Sequence, residues 1–149
     1  MKRVLSICIF CLSFLVGNAQ QTVGIFLNDS LALNGYTLIA PSSSKTTYLI
    51  DNCGNIVNQW ESDLTPGAVA YLLPNGDLLR TGRISGSFGG GGLGGRVELY
   101  DWDNTLKWAY DFASEQHHQH HDIEYLPNGN LLILMWDRLF AEDLSLIHI

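Results

Sequence analysis

The chain has 149 residues, of which 46% are hydrophobic, 15% are charged and 15 residues are glycine. That is about one domain's worth of polypeptide, and the balance excludes collagen, a coiled coil and a disordered polyelectrolyte. The formal charge of −7, with no basic run along the chain, argues against nucleic acid and anionic membrane surfaces as partners.

Residues 1–19 read as a secretory signal peptide. Lys2 and Arg3 precede an apolar run over residues 4–16, too short for a resident membrane span. Gly17 and Ala19 are the small residues a cut after Ala19 requires, with a cut after Gln20 as the near competitor. The expected location is therefore exported, periplasmic or extracellular. Cleavage removes Cys8 and Cys11 and leaves Cys53 alone, so the mature chain is expected to rely on packing rather than on an intrachain disulfide.

Residues 20–34 form a lead-in, and short strand-like runs follow. Residues 35–40 stop at Pro41. Thr46-Thr47-Tyr48-Leu49-Ile50 is rich in β-branched and aromatic side chains, and the turn-like Asp51-Asn52-Cys53-Gly54-Asn55 separates it from the run that ends at Trp60. Residues 68–73 enter the turn Pro74-Asn75-Gly76-Asp77, and Leu78-Leu79 leaves it. No segment sustains a 3.6-residue apolar period over three turns, so the expected fold class is all-β.

Two motifs recur with a period of about fifty residues. Leu73-Pro74-Asn75-Gly76 returns as Leu126-Pro127-Asn128-Gly129. The segment from Tyr48 through Asp51 to Trp60 returns from Glu98 through Asp101 to Trp108. Linked repeats of this length, with roughly four strands each, point to β-propeller blades, with a sandwich of two duplicated hairpins as the alternative. Residues 35–140 cover about two blades, and a ring needs four or more. The chain is therefore expected to be part of a larger propeller. Residues 141–149 read as a truncated or artefactual tail, which sets His148 aside.

The densest chemistry is Gln116-His117-His118-Gln119-His120-His121-Asp122. With a strand entered at His121, alternation puts His121 and Ile123 on one face and His120 and Asp122 on the other. Adjacent histidines so placed chelate one ion poorly, and no third ligand stands elsewhere, so no metal is expected. Residues 89–95 hold glycines at G-x-G-x-x-G spacing, but a strand pattern follows instead of the helix a dinucleotide fold requires. A loop between blades is the plain reading of this stretch. Backbone N–H groups lining an anion pocket with Arg96 are the sharper one. Asp101-Trp102-Asp103-Asn104 lacks the later Gly and Glu of a calcium loop and reads as a turn.

Several strings together resemble the secreted aryl-sulfate sulfotransferases of bacteria. They are Tyr48-Leu49-Ile50-Asp51, Leu78-Leu79-Arg80-Thr81-Gly82, Gly94-Gly95-Arg96-Val97, Tyr100-Asp101-Trp102-Asp103, and His120-His121-Asp122-Ile123-Glu124 before Leu126-Pro127-Asn128-Gly129-Asn130. The resemblance implies a six-bladed propeller with an axial funnel. It implies transfer of a sulfuryl group from a phenolic sulfate ester to a phenol through a sulfo-histidine, with no nucleotide donor and no cofactor. The nucleophilic histidine is implied for a later blade, so this chain alone is expected to be inactive. His121 and His120 are then the expected catalytic residues, with His121 contacting sulfate or phenol oxygen, and Arg96 and Arg80 are candidate anion ligands. Asp122 is expected to fix backbone or a neighbouring blade. The competing reading is an exported, non-catalytic propeller that binds carbohydrate or protein. Either version leaves a homo-oligomer open.

Overall fold

The computed structural model describes residues 25, 27–86 and 88–140. The signal-peptide reading, Cys8, Cys11 and the tail with His148 fall outside them. The described residues are all-β, in three antiparallel sheets. The first holds β1 (Tyr36–Ile39), β2 (Thr46–Asp51) and β3 (Ile56–Glu61). The second is a four-stranded meander of β4 (Pro66–Leu72), β5 (Leu78–Arg83), β6 (Gly95–Tyr100) and β7 (Leu106–Asp111). The third pairs β8 (His117–Tyr125) with β9 (Leu131–Asp137).

The sequence repeat is also a structural repeat. The Asn-Gly turns linking β4 to β5 and β8 to β9 close with the same bonds. Leu73 N–H donates to Asp77 O and Gly76 N–H to Leu73 O; Leu126 N–H donates to Asn130 O and Gly129 N–H to Leu126 O. Gly76 and Gly129 sit at φ 87 and 84, where a side chain would be strained. The Asp turns match too. Asp51 Oδ1 accepts from the N–H groups of Cys53 and Asn55, and Asp101 Oδ1 from those of Asp103 and Thr105. Gly54 and Asn104 take the left-handed position of each turn, at φ 81 and 65.

Even the irregularities repeat. The β2–β3 ladder shifts register between Leu49 and Ile50, and β6–β7 shifts between Leu99 and Tyr100. The β4–β5 ladder shifts between Pro66 and Ala70, and β8–β9 between Gln119 and Ile123. One equivalence differs from the sequence reading. Thr47 pairs with Trp60 while Val97 pairs with Tyr110, so Trp60 corresponds to Tyr110 and not to Trp108. The two tryptophans are two residues out of register with each other.

In the middle sheet, β5 is buried on both faces. Leu78 packs with Leu49, Trp60 and Tyr100 on the first-sheet side. Its neighbour Leu79 packs with Val97 and Ile123 on the third-sheet side. This is why Leu78-Leu79-Arg80-Thr81-Gly82 is buried without alternation. Trp60 is fully buried; its Nε1–H donates to Asp101 O, and its ring meets Trp102 edge-on at 5.7 Å. The first sheet thus docks on the Asp turn of the second.

Candidate functional site

The histidine cluster lies inside β8, which begins at His117 and not at His121. The bulge in this strand corrects the expected alternation. His118 and Gln119 are consecutive and both fully buried, while His121 is exposed. At His121 the backbone turns left-handed, with φ 54, an uncommon conformation for a residue with a side chain. The extra residue swings His121 to the side of His120, and their Nδ1 atoms come within 2.8 Å. The two rings, expected on opposite faces, form one hydrogen-bonded pair at 84° to each other.

The glycine-rich segment wraps this bulge. Ile84 N–H donates to Gly94 O, Gly94 N–H to Gln119 O and Gly95 N–H to Gln119 Oε1. His121 N–H donates to Gly92 O at 2.7 Å. Glycine is needed because rings lie on the backbone. A Cβ at Gly92, already at φ 72, would collide with the His121 imidazole, and one at Gly90 would lie 2.7 Å from the Trp136 ring. Of the two readings of this segment, the anion pocket finds no support at Gly94, Gly95 and Arg96: both N–H groups are engaged with Gln119, and Arg96 is paired with Glu98 and Asp111.

His120 is half-buried and stacked on Trp136 of β9, with centroids 4.2 Å apart and planes 14° apart. Burial, and then the neighbouring His121 and His118 rings, hold its pKa below the usual histidine range. His118 lies beneath, its ring against Gly86 and Gly95 and 5.9 Å from Phe88. Both its ring nitrogens, and Nε2 of Gln119, are buried with no hydrogen-bond partner among the described residues. His117 is separate: it is exposed, and its Nδ1 pairs with Asp137 at 2.9 Å. Asp122 Oδ1 accepts from Tyr71 Oη–H at 2.7 Å and from Ile123 N–H, so it fixes backbone and ties β8 to β4 as expected.

The two arginines are held elsewhere. Arg80 has no exposed surface, and its guanidinium donates to Leu64 O at 2.9 Å and Lys45 O at 3.3 Å. Glu98 lies 3.7 Å from it, and burial outweighs that carboxylate to lower the arginine pKa. Arg96 shares Glu98 at 3.3 Å and pairs with Asp111 at 3.1 Å. Their contacts run between strands and to the first sheet, not to the His120–His121 pair.

Sequence reasoning missed Trp136, Phe88, His118 and Gln119 as parts of the site. Only the alternation of β9 could have flagged Trp136, and only with the cross-strand register known. A cleft of about 550 Å³ opens between the second and third sheets, lined by Leu79, Leu99, Trp108, Phe112 and Tyr125 among others. It is apolar, and none of the histidines lines it. No family model, curated protein or solved structure matches the chain.

Proposed function

We propose that these sheets are successive blades of a β-propeller and that the β8 bulge contributes to an aryl-sulfate sulfotransferase site. The protein would be exported, and the reaction would move a sulfuryl group from a phenolic sulfate ester to a phenol by way of a sulfo-histidine in another blade. The four-stranded meander, repeated turn for turn and bulge for bulge in its neighbours, supports the blade reading.

The observation that carries the site is His121 itself. It combines a left-handed backbone, an exposed imidazole and a hydrogen-bonded histidine partner beside a glycine segment. Strained backbone of this kind persists where the surroundings over-determine it, and it clusters at functional sites. Chemically, the arrangement supplies N–H donors without a facing carboxylate. Sulfuryl transfer puts charge on the equatorial oxygens and on the departing phenolate, as phosphoryl transfer does, and fixed donors at those oxygens lower the barrier. A protonated His121 would serve as such a donor and as general acid to the phenolate. Arg80 plays no part in this reading, because its guanidinium is enclosed and engaged.

The test is transfer from an aryl sulfate to a phenol acceptor by the full-length protein, followed by appearance of both products. Acceptor-dependent release of the first phenol is the expected result. A folded protein that releases none, while binding a glycan or protein saturably, would replace this reading with the binding module.

A further inference from the structure

His120 and His121 are neighbours in the chain, yet their Nδ1 atoms face each other at 2.8 Å. Two imidazole nitrogens at that distance hold one proton between them: one ring donates N–H and the other accepts with its lone pair. Protonating both rings removes the lone pair and sets two cations in contact. The geometry is built from outside the pair. His120 is stacked on Trp136, Trp136 lies 6.1 Å from Phe88 with planes 14° apart, and the Arg138 guanidinium sits 4.7 Å over Phe88. This column fixes the plane of the His120 ring, while Gly92 O fixes the backbone of His121.

Among the described residues, no unengaged carboxylate stands beside the pair to balance a second proton. On β8 the near titratable group is His118; just past the end of β9 it is Arg138, already cationic. Residues 88–95 carry no ionisable side chain. The nearby carboxylates are spent, Asp137 on His117 and Asp122 on Tyr71 and Ile123 N–H.

We infer that His120 and His121 take up one proton as a couple, and that His120, held by Trp136, is the positioning residue that aims His121 Nε2 at the leaving oxygen of an aryl sulfate. The second half of this rests on the sulfotransferase reading; the first half does not. In the step, the S–O(aryl) bond breaks as sulfur bonds to the neutral ring nitrogen of the accepting histidine. The electron pair leaves on the phenolate oxygen, which takes the proton from His121 Nε2. His121 ends neutral, still donating Nδ1–H to His120. In the second half-reaction, His121 Nε2 takes the proton of the acceptor phenol as its oxygen attacks the sulfo-histidine sulfur. The couple then returns to its starting charge.

The decisive measurement is ¹⁵N NMR of histidine-labelled full-length protein across pH, alongside the transfer assay. The expected couple takes up one proton and resists the second. In His120→Asn and in Trp136→Leu, the hydrogen bond between the two Nδ1 positions should be lost from the spectra. Turnover should fall about 10–100-fold in both, with a displaced pH profile, and Trp136→Phe should restore most of it. Two independent one-proton titrations in the unmodified protein would overturn the couple, whatever the activity. An intact couple with no transfer would overturn only its assignment to aryl sulfate. Unchanged turnover and pH profile in a folded Trp136→Leu protein would remove the positioning role.

Discussion

At the scale of single residues, the four clustered histidines separate into three roles. His118 is packed beneath the glycine segment, His120 and His121 form the pair, and His117 bonds to Asp137 at the far end of β8. Replacing His121 by Asn keeps a donor but removes the charge and the titration. Turnover in the full-length protein is expected to fall by about 10²–10³, the usual cost of one oriented donor at a developing oxyanion. His117→Asn loses one exposed contact and should cost less than about threefold. Equal losses in two folded variants, checked by melting temperature, would mean that His121 is not a site residue. Gly92→Ala should act like a histidine variant without touching a histidine. Its methyl group meets the His121 ring, and its backbone is left-handed. The expected result is a folded protein with turnover down by about 10². Full activity would mean that the glycine segment does not hold His121 in place.

At the scale of elements, the turns carry the repeat, and they were the part most legible in the sequence. Leu-Pro-Asn-Gly and the Asp turns are local chemistry: a left-handed position filled by Gly or Asn, and a carboxylate accepting two backbone N–H groups. Gly76→Ala and Gly129→Ala should therefore destabilise by similar amounts, about 1–2 kcal/mol each, read from urea unfolding. A neutral Gly129→Ala would break the equivalence of the two turns. The bulge was not legible. It depends on which residue of β9 faces which residue of β8, and the sequence string reads equally well as a regular strand. Its consequences were lost with it: the His120–His121 contact, the burial of both His118 and Gln119, and the stacking on Trp136. The arginines failed to read for another reason. Arg80 lies in an unbroken buried run, where an anion ligand and an enclosed ion-pair partner look alike until Glu98 is placed beside it.

At the scale of the molecule, two seams join three sheets. The first is apolar and carries the fully buried Trp60 on the Asp turn of the middle sheet. Trp60→Ala should cost about 3–5 kcal/mol, against less than about 1 kcal/mol for the exposed Trp108→Ala. The second seam joins β4 to β8, and Tyr71 Oη–H on Asp122 Oδ1 is a polar link across it. That bond makes this seam sensitive to alkali. The hydrogen bond to Asp122, then burial, then the charges of Asp122 and Glu124 raise the Tyr71 pKa above that of a free tyrosine. A raised pKa means that the folded state favours the protonated phenol. Its contribution is full below the unfolded value of about 10 and is lost as pH rises through the higher folded value. Above that point a phenolate would face a carboxylate across the seam. Melting temperature should therefore fall between about pH 8 and pH 11 by more in the unmodified protein than in Tyr71→Phe, which has no phenol to ionise there. Every other group is common to both proteins and cancels in the comparison. Parallel curves for the two would mean that the Tyr71–Asp122 bond does not hold the third sheet to the second. The bulge would then be positioned by Ile123 in the apolar core and by the glycine segment alone.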